Sequence, residues 1–299
     1  MNLPIIDVSD LASSSPNRRR AVGDRLRAAC LAHGFFYCTG HGIPDGLTQR
    51  VLAQTRALFG QSHAQKLAME KSHSTCNRGY EVLGAQTLQQ GGQPDQKEGF
   101  YIGVEMPATD SRVVEGRFNR GPNLWPTDLP AFHPVMTAYF AAAESLGATL
   151  MRGIALSLSL PENYFAAYNV DTLATLRLLH YPPQPPDDPT AVGAGAHTDF
   201  GGLTLLLQDD IGGLQVWDGL HNNWIDAPPQ PGAFVVNLGD MIARWTNVAL
   251  PGTTEFAGYA MAATSFFALS HAMTRGAHIR VSIILNWNRY TSRWLDIFA

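Results

Sequence analysis

Apolar residues recur at helical spacing in three parts of the chain, residues 19–33, 47–59 and 131–158. In each part they return every three or four positions, which places them on one face of an α-helix. The third part is long and rich in small residues, with the run Ala141-Ala-Ala143 near its centre. We expect these helices to pack on the outside of a sheet.

Short apolar runs separated by turn-forming residues dominate the chain after Leu173. The turn signals are Pro182-Pro183, Gly193, Gly212-Gly213, His221-Asn-Asn223 and Pro228-Pro229. Short strands with such regular punctuation are typical of an antiparallel sandwich or jelly roll. The pattern therefore predicts a mainly β protein with flanking helices, whose jelly-roll core comprises residues 173–247 and a return strand near 279–286. Residues 84–126 are rich in Gly, Gln and Pro, and are predicted to be loops covering a site.

Composition adds little beyond the size of the core. The chain has 299 residues, of which 45% are hydrophobic, so it can form one large core. Its net charge of −4 provides no electrostatic reason to bind nucleic acid or an anionic membrane surface. The N-terminus lacks a signal sequence, and no run reaches the roughly 18 apolar residues of a membrane span. These observations predict a cytoplasmic protein with neither nucleic acid nor membrane as a partner.

The three cysteines, Cys30, Cys38 and Cys76, are an odd number and include no Cys-x-x-Cys pair. Neither a disulfide framework nor a zinc site is therefore indicated. Cys30 and Cys38 lie in apolar runs and are expected to be buried thiols.

His197 and Asp199 stand two residues apart at the start of a run that alternates like a strand. Alternate side chains of a strand point to the same side, so one metal ion can reach both. A second histidine would complete the two-His-one-carboxylate set of non-haem Fe(II) oxygenases, which leaves coordination positions open for oxygen and a cosubstrate. A turn-capping role is the alternative for Asp199. Asp209-Asp210 precedes Ile211-Gly-Gly213 and is interpreted as a solvated turn.

Further segments occur in a definite order around this motif. They are Leu3–Asp7, Ala32–Tyr37, Gly40–Ile43, Asn77–Tyr80, Lys97–Phe100, Leu176–Pro183 and Gly232–Asp240. Together they resemble the isopenicillin-N-synthase-like branch of the Fe(II)/2-oxoglutarate-dependent dioxygenases over residues 3–247. The resemblance implies a jelly roll, Fe(II), and O2 and 2-oxoglutarate as cosubstrates. It also divides one compact unit into an N-terminal region, residues 1–120, and a jelly-roll region, residues 121–299, with an atypical segment at 248–270.

The family pattern is interrupted after Asn247, where a strand carrying the distal histidine is expected. Counted without a gap, that ligand position falls on Glu255. Further along, His271 precedes Arg280-Val-Ser282 in the family's order, His then Arg-x-Ser. His278 is a rival for His271, but it lies only two residues before Arg280 and would crowd both roles.

Three interpretations of this tail remain open. In the first, a loop insertion separates the motifs, and His271 completes the metal site. Arg280 and Ser282 then bind the far carboxylate of 2-oxoglutarate, which the resemblance also places near Tyr181. In the second, Glu255 is the third ligand. In the third, the tail is a shifted or misassembled reading of an ancestral end.

The resulting functional prediction is oxidation of a small organic molecule by hydroxylation, desaturation or ring closure. The alternatives are a catalytically impaired jelly-roll protein with an incomplete metal site and an iron oxidase that needs no 2-oxoglutarate. Substrate contacts are expected from residues 84–126, near Tyr80, Phe100 and Tyr101. By resemblance Arg177 lines the cosubstrate pocket, whereas His180 is expected to be structural.

Overall fold

The computed structural model describes residues 2–89, 91–183, 192–218 and 221–242. The described α-helices are α1 Pro16–Ala32, α2 Asp45–Phe59, α3 His63–Leu67, α4 Ser111–Val114 and α5 Phe132–Ser157. The described strands are β1 Ile5–Asp7, β2 Phe35–Thr39, β3 Gly79–Glu81, β4 Glu98–Gly103, β5 Thr175–His180, β6 Leu203–Leu206, β7 Gln215–Asp218, β8 Asn223–Asp226 and β9 Phe234–Leu238. Short 3-10 turns lie at Ser9–Ala12, Lys71–His73 and Ala166–Asn169. All these elements belong to one compact unit.

The three helical predictions are confirmed by α1, α2 and α5. Helix α1 begins at Pro16, where the missing N–H costs nothing because the first turn has no carbonyl to pair with it. The buried residues of α5 include Phe132, Met136, Tyr139 and Leu146. Their spacing of three, four and seven places them on one face, which packs into the main apolar core.

Helices α1 and α5 pack closely because two glycines face the contact. A Cβ atom on Gly23 would lie 2.9 Å from the Leu156 Cβ, and one on Gly153 would lie 2.7 Å from the Leu26 Cδ1. Side chains at either position would therefore force the helices apart. The close pair forms a layer against the sheets, since Leu26 shares the core with Phe36 of β2 and Val236 of β9.

The described strands form three sheets. The largest has the order β1-β2-β9-β6, in which β1 and β2 are parallel and the other pairs are antiparallel. The second, β3-β4-β5, and the third, β7-β8, are antiparallel. The antiparallel pairing predicted after Leu173 is thus confirmed for β6 to β9. The predicted return strand near 279–286 lies outside the described residues.

One prediction for the N-terminal half is wrong. Residues 84–126, predicted to be loops, contain β4, which is the central strand of the second sheet and is buried at all six positions. They also contain the short helix α4. The surrounding Gly, Gln and Pro residues obscured the apolar run Phe100-Tyr-Ile102. This run forms a strand because it pairs with β3 and β5, and the residues next to it in sequence do not indicate that pairing.

The buried thiols predicted for Cys30 and Cys38 are confirmed. Cys30, Cys38 and Cys76 are all buried and unpaired. No helix within the described ranges is long and apolar enough to cross a membrane.

Candidate metal centre

His197 and Asp199 lie in the segment that leads into β6, six and four positions before the strand begins at Leu203. The expectation that both stand on the strand itself is therefore wrong. Their side chains nevertheless converge, with His197 Nε2 3.8 Å from Asp199 Oδ1. Hydrogen bonds to neighbouring elements, rather than the alternation of a strand, produce this convergence.

The His197 ring is oriented by the backbone two residues before it. Its Nδ1 lies 2.8 Å from the carbonyl oxygen of Gly195. A carbonyl oxygen can only accept, so Nδ1 must carry the proton of this bond. In the neutral ring Nε2 then has a free lone pair, and this is the atom that faces Asp199.

Asp199 is held through its other carboxylate oxygen. Oδ2 accepts hydrogen bonds from Thr204 Oγ1 at 2.6 Å and from Asn237 Nδ2 at 2.9 Å. Thr204 and Asn237 are register partners in β6 and β9, so the pairing of these strands positions both donors. No described residue donates a hydrogen bond to Oδ1, which is left to face His197.

A third interaction ties the ligand segment to the end of β9. The hydroxyl of Thr198 donates to Asp240 Oδ2 at 3.0 Å, and the backbone N–H of Asp240 donates to the Asp199 carbonyl at 2.8 Å. Asp240 Oδ1 is buried and has no hydrogen-bond partner among the described residues. No local pattern singles out Thr204, Asn237 and Asp240 as partners of the motif, although Asn237 and Asp240 lie in the segment Gly232–Asp240 that carried the resemblance.

The donor atoms fit a divalent metal ion. Metal–imidazole and metal–carboxylate bonds are each about 2.0–2.2 Å long, so together they span about 4.2 Å. The 3.8 Å between Nε2 and Oδ1 is within that span. The distance is too long for a hydrogen bond between the two atoms. One imidazole and one carboxylate are two of the three protein ligands that non-haem Fe(II) oxygenases use.

A third protein ligand is not found among the described residues, where no group of three or more His, Cys, Asp or Glu side chains converges. Four of the predicted tail residues lie outside the described ranges: Glu255, His271, Arg280 and Ser282. The rival His278 lies there as well.

Tyr181, predicted to contact 2-oxoglutarate, follows the end of β5 and is 47% exposed. Desolvation raises the pKa of its phenol, and the nearby charge of Arg177 opposes this shift. The phenol therefore stays protonated and can donate a hydrogen bond to an anion.

Arg177 belongs to a polar cluster on one side of the second sheet. Its Nη2 donates to Glu81 Oε2 at 3.1 Å and to Gln86 Oε1 at 2.7 Å. Its guanidinium lies 4.9 Å from the centre of the Tyr101 ring. Burial raises the pKa of Glu81, but hydrogen bonds from Lys71 and Tyr101 outweigh it and hold that pKa below its ordinary value.

Two residues expected near the substrate face the other way. Tyr80 and Phe100 are 2% and 0% exposed and belong to the main core. Phe100 packs edge-to-face on Phe132 of α5. The alternation of β3 and β4 sends these two rings towards the helices and leaves only Tyr101 on the side of Arg177.

The structural roles expected for His180 and Asp209-Asp210 are confirmed. His180 Nδ1 lies 2.8 Å from Glu98 Oε1, and its ring stacks on Phe59. Asp209 Oδ1 accepts from the backbone N–H of Ile211 in an exposed turn.

Two family models describe most of the chain. The model for the N-terminal region of a non-haem dioxygenase in morphine synthesis matches residues 3–128. The model for the 2OG-Fe(II) oxygenase superfamily matches residues 172–255.

Individual relatives agree with these matches. A 2-oxoglutarate-Fe(II) type oxidoreductase of Emericella nidulans is 40% identical over 249 residues, which make up 82% of this chain and 71% of the relative. A 2-oxoglutarate-dependent dioxygenase of Aspergillus niger is 36% identical over 251 residues, covering 83% of this chain and 76% of the relative.

Solved structures show the same similarity. A full-length Neurospora crassa protein, crystallised in complex with alpha-KG, superimposes with a TM-score of 0.72 at 30% identity, covering 83% of this chain and 76% of that chain. The complex of that protein with alpha-KG and thymine has a TM-score of 0.70 at 30% identity, covering 83% and 77% of the two chains.

The C-terminal part of the chain has a second similarity. Residues 233–299 match the model for the DctQ component of tripartite ATP-independent periplasmic transporters. This match overlaps the oxygenase match at residues 233–255. The oxygenase match ends before His271, Arg280 and Ser282, so it does not include the predicted distal ligand or the predicted carboxylate-binding pair.

The ordered family matches, the relatives and the shared jelly-roll fold lead to one assignment, and the alternatives of an impaired protein and a 2-oxoglutarate-independent oxidase are not favoured. The chain belongs to the 2OG-Fe(II) oxygenase superfamily and is a dioxygenase that uses Fe(II), 2-oxoglutarate and O2 to oxidise a small molecule.

Proposed function

We propose that His197 and Asp199 are two of the three protein ligands of Fe(II) and that His271 is the third. The observation that carries this proposal is the pair of free lone pairs on His197 Nε2 and Asp199 Oδ1, which face each other across 3.8 Å. The other polar atoms of these two side chains are already hydrogen-bonded, since His197 Nδ1 donates to the Gly195 carbonyl and Asp199 Oδ2 accepts from Thr204 and Asn237. A cation between the two free atoms would satisfy both.

The cosubstrate contacts follow from the chemistry of 2-oxoglutarate. Arg280 would offer its planar fork to the 5-carboxylate, and the Ser282 hydroxyl would add a further hydrogen bond. The protonated phenol of Tyr181 would donate to a carboxylate oxygen. When Fe(II) is bound, it supplies the site at which O2 is reduced while 2-oxoglutarate is decarboxylated to succinate and CO2.

The substrate in this proposal is a small, planar, partly apolar molecule. Phe200 directly follows Asp199 and exposes 70% of its surface, so its ring is available to contact a ligand beside the metal. The partly exposed guanidinium of Arg177 adds a cationic contact surface. The Neurospora crassa structures with thymine and with 5-formyluracil support a flat heterocycle of that size as the first compound to test.

A cytoplasmic location is part of the same proposal. Three buried, unpaired cysteines are typical of proteins from a reducing compartment. The net charge of −4 favours a small-molecule partner over nucleic acid.

The third ligand can be tested directly by succinate release. Wild type, His271→Ala and Glu255→Ala would be supplied with Fe(II), ascorbate, 2-oxoglutarate and O2. Loss of succinate in His271→Ala alone supports the proposed site. Loss in Glu255→Ala alone would show that the third ligand is the Glu255 carboxylate and not His271. An inactive wild type that still binds Fe(II) would contradict the proposed complete site.

A further inference from the structure

A buried ion pair lies behind the metal-ligand segment and has no place in the proposed ligand set. The side chains of Asp95 and Lys97 are 0% and 4% exposed, and Lys97 Nζ lies 2.5 Å from Asp95 Oδ2. Removing two charges from water carries a desolvation cost that their attraction does not always recover. The pair therefore calls for a role beyond stability.

The other oxygen of Asp95 joins two separate loops. Oδ1 accepts hydrogen bonds from the backbone N–H groups of Leu88, at 3.4 Å, and of Gly195, at 3.0 Å. A backbone bond from Gln96 N–H to the Val192 carbonyl, 2.9 Å long, runs beside this contact. Asp95 and Gln96, at the end of the loop before β4, are thereby attached to the segment that precedes His197.

Gly195 is the residue through which this attachment reaches the metal centre. Its N–H donates to Asp95, and its carbonyl accepts from His197 Nδ1 at 2.8 Å. Gly195 also lies tightly against the opposite loop, since an added Cβ would be 2.8 Å from both the backbone N and the Cβ of Gln89. The position of its carbonyl is thus determined by the loop that Asp95 organises.

We propose that Asp95, balanced by Lys97, is a positioning residue that holds Gly195 so that its carbonyl orients the His197 ring for metal binding. This inference rests on the proposed function, in which His197 is an iron ligand. Groups that orient a ligating imidazole through its second nitrogen tune metal affinity without touching the metal. Asp95 would act on the His197 ring indirectly, through the backbone of Gly195.

Two matched double variants separate positioning from folding. Asp95→Asn with Lys97→Met removes both charges but keeps a side-chain oxygen that can accept from Gly195. Asp95→Leu with Lys97→Met removes both charges and the acceptor, and keeps the same number of side-chain heavy atoms. Neither variant leaves an unpaired buried charge, so both avoid the largest cause of unfolding.

The readout is anaerobic titration of each purified variant with Co(II) followed by its visible absorption, together with Fe(II) binding and thermal melting. We expect the Asn variant to bind Co(II) within about threefold of wild type and the Leu variant to bind about tenfold more weakly, with an altered spectrum. Equal affinities and spectra in the two variants would overturn the proposal, even if both melt at a lower temperature.

Gly195→Ala provides a second variant in case the Leu variant does not fold. It leaves Asp95 and Lys97 intact and pushes Gly195 away from Gln89, so it should also weaken Co(II) binding. Unchanged binding in folded Gly195→Ala would contradict the role of Gly195. A wild type that binds no Co(II) or Fe(II), or a His197→Ala variant that binds as well as wild type, would instead contradict the proposed metal site itself.

Discussion

Two histidine–carboxylate pairs within the described part of the chain have opposite character. In the first, His180 Nδ1 lies 2.8 Å from Glu98 Oε1, and Glu98 Oε2 also accepts from Lys66 and Tyr80. In the second, His197 Nε2 and Asp199 Oδ1 stand 3.8 Å apart. The first pair is closed, with every facing atom hydrogen-bonded, whereas the second is open, with two acceptor atoms facing each other.

The difference separates a structural pair from the pair proposed to bind a metal. The Glu98 side chain is 8% exposed and that of Asp199 is 33% exposed. A closed pair surrounded by donors stabilises the fold. In the open pair, hydrogen bonds hold the two atoms that face away from the partner, and the two facing atoms are free. This arrangement is suited to a ligand that the protein alone does not supply.

The largest expected effect is loss of metal from the open pair. His197→Ala and Asp199→Ala should each abolish stoichiometric Fe(II) binding, because the remaining ligands cannot replace an imidazole or an anionic oxygen. Iron analysis after anaerobic loading measures this. His180→Ala is the matched control and should retain iron; full iron content in the double variant of His197 and Asp199 would refute the assignment.

The next effect is loss of stability at the closed pair. Glu98→Ala should lower the free energy of unfolding by about 3 kcal/mol, since it leaves the largely buried ammonium of Lys66 without its partner. Urea denaturation gives the value. Glu115→Ala removes a half-exposed carboxylate paired with Arg117 and should cost less than about 1 kcal/mol. Similar losses in the two variants would show that the Glu98 cluster is not the stabilising element inferred here.

A smaller effect is expected from the donors behind Asp199. Thr204→Val keeps the shape of the side chain but removes the 2.6 Å hydrogen bond to Asp199 Oδ2. Fe(II) affinity should fall about tenfold, because an outer partner orients the ligand without binding the metal. Thr175→Val, at an exposed position in β5, is the control, and equal affinities in the two variants would argue against a positioning role for Thr204.

The smallest expected effect is an acid-dependent loss of stability at the closed pair. Burial raises the pKa of Glu98, but hydrogen bonds from Lys66, Tyr80 and His180 outweigh it and lower that pKa from its ordinary value. A lowered folded pKa means that the carboxylate stabilises the fold above its unfolded pKa of about 4.3. This contribution is lost as the pH falls from there through the folded pKa.

Urea unfolding of wild type and Glu98→Ala between pH 7 and acid should therefore show the two stabilities converging below about pH 4.3. A constant difference across that range would mean that Glu98 stabilises the fold by packing rather than by its charge.

Local patterns in the sequence were sufficient to predict the helices and to single out His197 and Asp199 as side chains that converge. Helices α1, α2 and α5 were predicted within a few residues of their bounds, because apolar spacing along one helix is a property of that segment alone. Strand β4 was missed, because its burial depends on pairing with β3 and β5. The same dependence explains why Tyr80 and Phe100 were expected at the substrate and lie instead in the core.

The sequence by itself identified His197 and Asp199 as the pair proposed to bind the metal, since both are recognisable from two positions and their neighbours. Only the tertiary structure decided how these side chains are aimed. Asn237 is 38 residues from Asp199, and Asp95 is 100 residues from Gly195. Contacts across such distances exist only once β6 has paired with β9 and the loop before β4 has packed on the ligand segment. Hydrogen-bond geometry of this kind is set by the folded backbone and leaves no local pattern along the chain.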